Sequence, residues 1–140
     1  MENSRKRIVV PTIREIVETN RLFIKTTGGD FYPPDNLIYP NGLKWALEII
    51  QCPFLFGEPI FPLLPDKASL LAWTIINDHV FYDGCKRTGM AIIRIMVLSN
   101  KFPFTATNEE IIDMAYKIYY YRKSGVTKEK LSTWINERMQ

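Results

Sequence analysis

The sequence has few of the residues that define several classes of protein. Its 140 residues include only two cysteines, Cys52 and Cys85, which form neither a CxxC pair nor a dense disulfide framework. Because such usage is typical of a reducing compartment, we expect a cytoplasmic protein. Apolar runs are short: "AIIRIMVLS" contains Arg94, and the first apolar run ends at Pro11. The sequence therefore predicts neither a signal peptide nor a membrane span.

An excess of charge of one sign is also missing. The formal net charge is +3, and the basic residues are spread along the chain rather than gathered in a block. Direct nucleic-acid binding is therefore not expected. With 46% hydrophobic residues and no repeat, the length suits a single domain with its own core, spanning residues 1–140.

Apolar residues recur at helical spacing through most of the chain, which predicts an all-α class with a compact bundle of about six helices. Gly28 and Pro53 supply stops, and Thr107 with Glu110 forms the pattern of a capping box. The expected helices run from Thr12 to Gly28, from Asn41 to Pro53, from Asp66 towards Asp78, from Lys86 or Arg87 onward, from Thr107 to about Tyr121, and from Thr127 onward.

One segment lacks this periodicity. The string "PFLFGEPIFP" is rich in aromatic residues and proline, with Gly57 at its centre. It predicts a short extended flap or β-hairpin in which Phe54, Phe56, Gly57 and Phe61 receive an extended target peptide. The alternative is a hydrophobic cover over the bundle.

The stretch "DHVFYDGCKRTGM" combines the only histidine with a cluster of charge between two predicted helices. Unpaired backbone N–H groups at the start of the second helix, from Gly84 to Arg87, can bind an anion. One interpretation is a phosphate at this helix start, a hard cation on Asp83 and His79 as a base. The other is structural: Asp83 caps the helix beside two solvated bases, Lys86 and Arg87.

The pattern H-x-F-x-D-G-x-K-R-T-G resembles the signature of the Fic/Doc superfamily, and within it the death-on-curing (Doc) branch. The matching residues are His79, Phe81, Asp83, Gly84, Lys86, Arg87, Thr88 and Gly89. The resemblance implies a small helical bundle with the motif between two core helices and a target-binding flap upstream. It covers most of the chain, from Thr12 to Gln140.

The resemblance implies transfer of a phosphate-containing group from ATP, or another nucleoside triphosphate, to a protein hydroxyl. His79 is then the general base, and Asp83 holds magnesium. Lys86, Arg87 and the amides from Gly84 through Cys85 bind the phosphates. Phe81 is expected to be a core anchor, with Thr88 and Gly89 serving helix packing.

The two branches of the superfamily differ at the position of Lys86. The Fic-type, nucleotidylating pattern has glycine there and a second arginine where this chain has Met90. The Doc branch has lysine, which implies transfer of the terminal phosphate by a toxin that acts on a translation elongation factor. Transfer of a nucleoside monophosphate is the alternative.

Cys85 occupies the position at which both branches usually carry asparagine. A thiol is a poorer hydrogen-bond partner than a carboxamide, so an attenuated enzyme or a silent nucleotide- or peptide-binding module is a further alternative. The neighbouring Lys86 and Arg87 favour a reactive thiolate, whereas burial favours a small apolar filler.

Family toxins are restrained by an antitoxin or by an inhibitory helix with a Ser/Thr-x-x-x-Glu-Gly/Asn motif. The nearest string in this chain, "TWINER" from Thr133 to Arg138, lacks the final glycine or asparagine. The resemblance therefore implies inhibition in trans by an antitoxin protein.

Overall fold

The computed structural model describes residues 7–52, 54–59 and 61–140. Its elements, in chain order, are α1 (Ile13–Thr27), α2 (Pro40–Gln51), β1 (Phe54–Leu55), β2 (Glu58–Pro59), α3 (Leu64–Asn77), α4 (Cys85–Ser99), α5 (Asn108–Tyr119), α6 (Tyr121–Ser124) and α7 (Lys128–Glu137). The fold is therefore mostly helical, which agrees with the predicted all-α class. Among the described residues, none of the helices is long and apolar enough to cross a membrane.

The core lies around α3 and α4, which pack against each other along their length. α2 and α7 cover α3, while α1 and α5 pack on α4. The two central helices approach closely at Gly89, where a Cβ atom would stand 2.7 Å from the side chain of Ile76 and 3.2 Å from the carbonyl oxygen of Ala72. Gly89 therefore serves helix packing, as expected from the sequence.

The start of three helices differs from the prediction. α2 begins at Pro40, not Asn41, and Tyr39 precedes it without a side-chain capping bond. α3 begins at Leu64, two residues before the predicted Asp66, and α4 begins at Cys85. In both α2 and α3 a proline stands in the first turn, where its fixed φ suits the helix and its missing N–H has no cost.

The predicted fifth helix is divided into two, so the described residues contain seven helices rather than six. α5 opens with the predicted capping box of Thr107 and Glu110 but ends at Tyr119. The backbone of Tyr120 departs from helical geometry, with φ −101° and ψ 41°, before α6 begins. The ring of Tyr120, at this break, is exposed.

Between α2 and α3, β1 and β2 pair antiparallel over two residues each, around a turn at Phe56 and Gly57. Phe56 is 97% exposed, and Phe61 packs partly against the core. Pairing of this length adds little stability and does not change the all-α class.

A second extended contact fixes the segment ahead of α4. Residues 36–39 run beside residues 80–82: the amide of Ile38 donates to the carbonyl of Val80 at 2.8 Å, and that of Tyr82 donates to the carbonyl of Asn36 at 3.0 Å. Phe81 lies in this contact and is fully buried, as expected of a core anchor. This contact and the buried ring of Phe81 therefore hold the α3–α4 loop against the core.

Candidate active site at the start of helix α4

His79 lies in the turn that follows α3. Its backbone is left-handed, with φ +52°, and its side chain is exposed. Within the described part of the chain, no residue forms a hydrogen bond with its ring. Non-glycine residues adopt this conformation only occasionally, and such strain is often found at functional sites. The turn directs the imidazole to a cavity rather than to the core.

Asp83 joins the α3–α4 loop to the loop after α1. One carboxylate oxygen accepts a hydrogen bond from the amide of Asp30 at 2.9 Å, and the other accepts from the amide of Gly84 at 2.8 Å. The hydrogen bond from Asp30 is the main reason that the pKa of Asp83 lies below its usual value. Burial raises the pKa, but the hydrogen bond from Gly84 and the charges of Arg87 and His79 lower it further. The carboxylate is therefore ionised at neutral pH.

Gly84 precedes α4 in the left-handed region, with φ +79°. A Cβ atom at this position would lie 2.9 Å from the side-chain nitrogen of Asn20. Both the backbone conformation and the close approach of Asn20 thus require glycine between Asp83 and the helix.

A buried polar network supports this loop from below. The side-chain nitrogen of Asn20 donates to the carbonyl of Asp83 at 2.8 Å and to the hydroxyl of Thr88 at 3.1 Å, and its oxygen accepts from Asn36 at 2.9 Å. The side chains of Asn20, Asn36 and Thr88 are inaccessible to solvent. Sequence reasoning missed this network, although Asn20 interrupts the apolar stripe between Ile16 and Ile24 of α1.

The first turn of α4 presents three amides, those of Cys85, Lys86 and Arg87, without a hydrogen-bond acceptor among the described residues. The amide of Gly84, which was expected to join them, is already paired with Asp83. Unpaired amides at a helix start carry partial positive charge and suit an anion. The first turn of α4 therefore keeps three amides available to an anion.

The two bases of the motif diverge from this turn. The ammonium of Lys86 stands 4.1 Å from the ring centroid of Tyr119 on α5. The guanidinium of Arg87 turns the other way and donates to the hydroxyl of Thr27 and, at 3.2 Å, to the carbonyl of Gly28. The structural alternative, a capping acid beside two solvated bases, does not describe the site: no described side chain caps α4, and Lys86 and Arg87 contact Tyr119 and residues 27–28.

These residues line one cavity of about 660 Å³ between α4 and α5. His79, Asp83, Gly84, Cys85, Lys86 and Arg87 all contribute to it. The opposite wall is largely apolar and comes from α5: Ile111, Ile112, Ala115, Tyr116 and Tyr119. The volume lies within the range typical of small-molecule sites. The described residues of the predicted flap do not line the cavity.

Cys85 is buried, and its thiol donates to the carbonyl of Phe81 at 3.2 Å. Burial raises the pKa of this thiol, outweighing the opposing effect of the Lys86 charge. Burial and the raised pKa therefore favour the small apolar filler over the reactive thiolate. The side chain acts as a small filler between the loop and α4.

Cys85 is expected to react slowly with iodoacetamide. In a Cys52→Ser background at neutral pH, alkylation should be at least about tenfold slower than that of a free cysteine, because only the thiolate is nucleophilic. Its raised pKa means that the rate should keep rising with pH beyond the range in which an ordinary thiol has reached its plateau. Mass spectrometry of timed samples measures this rate, and rapid alkylation at pH 7 would contradict the assignment.

A magnesium ion fits this site only as part of a nucleotide complex. Among the residues that the structure describes, no three His, Cys, Asp or Glu side chains are placed to hold a metal. Asp83 is the ionised carboxylate of the cavity, and each of its oxygens keeps a lone pair beyond the backbone bond it accepts. Magnesium commonly takes one or two carboxylates and completes its shell with phosphates and water. The donor set is compatible with that chemistry.

Comparison with known protein families, curated proteins and solved structures gave no significant match. The resemblance to the Fic/Doc superfamily therefore depends on the motif, and the roles of its residues stay predictions.

Proposed function

We propose that this protein transfers the terminal phosphate of ATP to a hydroxyl group of another protein, as a Doc-like toxin. The observation that carries the proposal is the convergence of His79, Asp83, Lys86 and the three unpaired amides of α4 on one cavity. A base, a carboxylate and an anion site are the groups that phosphoryl transfer to a hydroxyl requires. The resemblance adds that the target is a translation elongation factor.

In the proposed reaction, the α4 amides and Lys86 hold the phosphates of ATP. The acceptor hydroxyl oxygen attacks the terminal phosphorus, the bond to the bridging oxygen breaks, and ADP leaves. The hydroxyl proton passes to His79. Asp83 would hold the magnesium that accompanies ATP, which supplies charge neutralisation on the phosphates. Arg87 holds the 27–28 loop against α4 and adds positive charge beside the anion site.

Two features favour terminal phosphate transfer over transfer of a nucleoside monophosphate. Lys86 projects its charge across the cavity towards Tyr119. A glycine at the same position would instead leave the backbone free to close around a phosphate. The position of the second arginine of the nucleotidylating pattern is occupied by Met90, which is 3% exposed and uncharged. Transfer of a nucleoside monophosphate is the alternative. Labelling the protein from α-labelled ATP or from γ-labelled ATP separates the two reactions.

A silent binding module is the second candidate, and Cys85 is the observation that favours it. The thiol is bonded to the carbonyl of Phe81 and offers no carboxamide to a phosphate. Such a module would bind ATP without transferring phosphate, so nucleotide binding and transfer must be measured separately.

The proposed regulation is by an antitoxin in trans. The segment from Thr133 to Arg138 does not line the cavity; Arg138 instead bonds to Glu110 at 2.6 Å, and α7 packs on α3. The part of the chain nearest to an inhibitory motif is therefore engaged in the fold. The proposal also keeps the target-docking role of Phe54, Phe56, Gly57 and Phe61 as a prediction.

ATP with magnesium is expected to raise the melting temperature. A ligand at about one hundred times its Kd stabilises the folded state by about 2.7 kcal/mol, which is about 8 °C for a domain of this size. Arg87→Ala should lose about half of this shift, because removing a charge beside the phosphates weakens affinity about tenfold.

Differential scanning fluorimetry measures both shifts, with Arg14→Ala as the control. Arg14 is an exposed arginine of α1 that does not line the cavity. Each variant is compared with its own nucleotide-free sample, since Arg87→Ala also removes bonds to the 27–28 loop. An absent shift at millimolar nucleotide would refute the site.

A further inference from the structure

A second cavity, of about 510 Å³, adjoins the candidate active site. It is lined by residues 119–123 together with Ile76, Asn77 and His79. His79 and Tyr119 line both cavities. His79 therefore lies at the junction of the two cavities. A general base for this reaction must lie between the phosphate donor and the acceptor hydroxyl.

The wall of the second cavity is a fixed aromatic surface. The rings of Tyr119 and Tyr120 meet edge to face at 4.8 Å, and Tyr116 and Tyr120 lie parallel at 6.5 Å. Tyr121 is anchored on Trp73 at 5.4 Å. Tyr116, Tyr119 and Tyr120 remain 42% to 53% exposed despite these contacts. Exposed tyrosines held in place by one another are typical of protein-binding surfaces, because little side-chain entropy is lost on binding.

The charge of this cavity has one sign. Arg122 and Lys123 line it, and no acidic residue does. Arg122 lies over the ring of Tyr121 at 5.5 Å, and neither basic side chain forms an ion pair with the described residues. The side-chain nitrogen of Asn77 is buried and has no acceptor there. The cavity thus offers two cations, while the nitrogen of Asn77 lies too deep to reach a ligand.

We infer that this surface, defined as residues 119–123, docks an acidic segment of the protein that carries the acceptor hydroxyl. The inference rests on the proposed function and names its substrate class. Carboxylates of the segment pair with Arg122 and Lys123, and its apolar groups pack on the tyrosines. ATP occupies the first cavity, and the hydroxyl approaches His79 from the second.

The test uses two fluorescein-labelled peptides that share threonine and glycine and differ only in glutamate or lysine at the remaining positions. Fluorescence anisotropy without ATP should give a Kd at least about tenfold lower for the acidic peptide. Arg122→Glu with Lys123→Glu should remove this preference, and Tyr120→Ala should weaken binding. Arg14→Glu with Lys44→Glu is the matched control, since it changes the net charge equally on exposed residues that line neither cavity.

A second measurement separates this inference from the proposed function. Transfer from γ-labelled ATP to the acidic peptide should show a KM raised about tenfold in the Arg122, Lys123 double variant, with the ATP-induced melting shift unchanged. Equal binding of both peptides, or equal loss in the control, would overturn the docking surface. Binding that depends on Arg122 and Lys123 without any transfer would support the docking surface and refute the kinase. A loss confined to Phe56→Ala would assign docking to the flap instead and overturn the inference.

Discussion

Replacing His79 with alanine is expected to lower phosphate transfer by about two to four orders of magnitude, the usual effect of removing a general base. The side chain is exposed and makes no hydrogen bond with the described residues, so its loss should leave the core intact. Transfer of label from γ-labelled ATP and circular dichroism on the same preparation measure the two effects.

The left-handed backbone of His79 requires two controls. Alanine tolerates φ +52° poorly, whereas asparagine adopts it readily, so His79→Asn removes the base but keeps the turn. Lys101→Ala places the same strain at another exposed residue with positive φ, far along the chain from the motif. Both His79 variants should be inactive and Lys101→Ala active. Full activity in His79→Asn would disprove the role of the imidazole.

Asn20→Leu should be the most destabilising single change near the site. Leucine has the branched shape of asparagine, although it is bulkier, and it removes the donor to the Asp83 carbonyl and Thr88 and the acceptor for Asn36. Leaving buried polar groups unpaired costs about 1–3 kcal/mol each. We expect a loss of about 3 kcal/mol in unfolding free energy, or about 10 °C in melting temperature.

Urea denaturation measures the free energy, and Arg14→Leu provides the control on the exposed face of α1. The same Asn20→Leu protein should also lose affinity for ATP. Without the hydrogen bond from Asn20 to the carbonyl of Asp83, the loop that presents the α4 amides is no longer held in place. An unchanged midpoint would show that the network contributes nothing to stability. An unchanged ATP-induced shift would show that it does not position the site.

Much of the helical layout could be predicted because its signals are local. The capping box of Thr107 and Glu110 fixes the start of α5, and Gly28 ends α1 through a backbone bond to Ile24. The starts of α2 and α3 were placed too late, since Pro40 and Pro65 lie in their first turns and no side chain of the described residues caps either helix. The break at Tyr120 was missed because no glycine, proline or capping residue marks it in the sequence.

The candidate site was predicted less completely. Residues 79–87 are close in sequence, so a single motif indicated that His79, Asp83 and Lys86 lie together. The contacts that hold them are distant in sequence: Asn20 is 63 residues from Asp83, and Asp30 is 53 residues away. The buried thiol of Cys85 likewise follows from tertiary packing, which a local charge argument does not include. The second cavity brings residues 119–123 beside the end of α3, and no sequence pattern indicated that contact.

The central claim is tested most directly by comparing the fates of the γ-phosphate and the α-phosphate of ATP in parallel reactions. A cell extract is incubated with the protein and with γ-labelled or α-labelled ATP, and labelled proteins are identified by mass spectrometry. The account predicts that label from the γ-phosphate appears on a serine, threonine or tyrosine hydroxyl of a protein, and that His79→Asn abolishes it. Label from the α-phosphate, or no label despite an ATP-induced melting shift, would contradict the account.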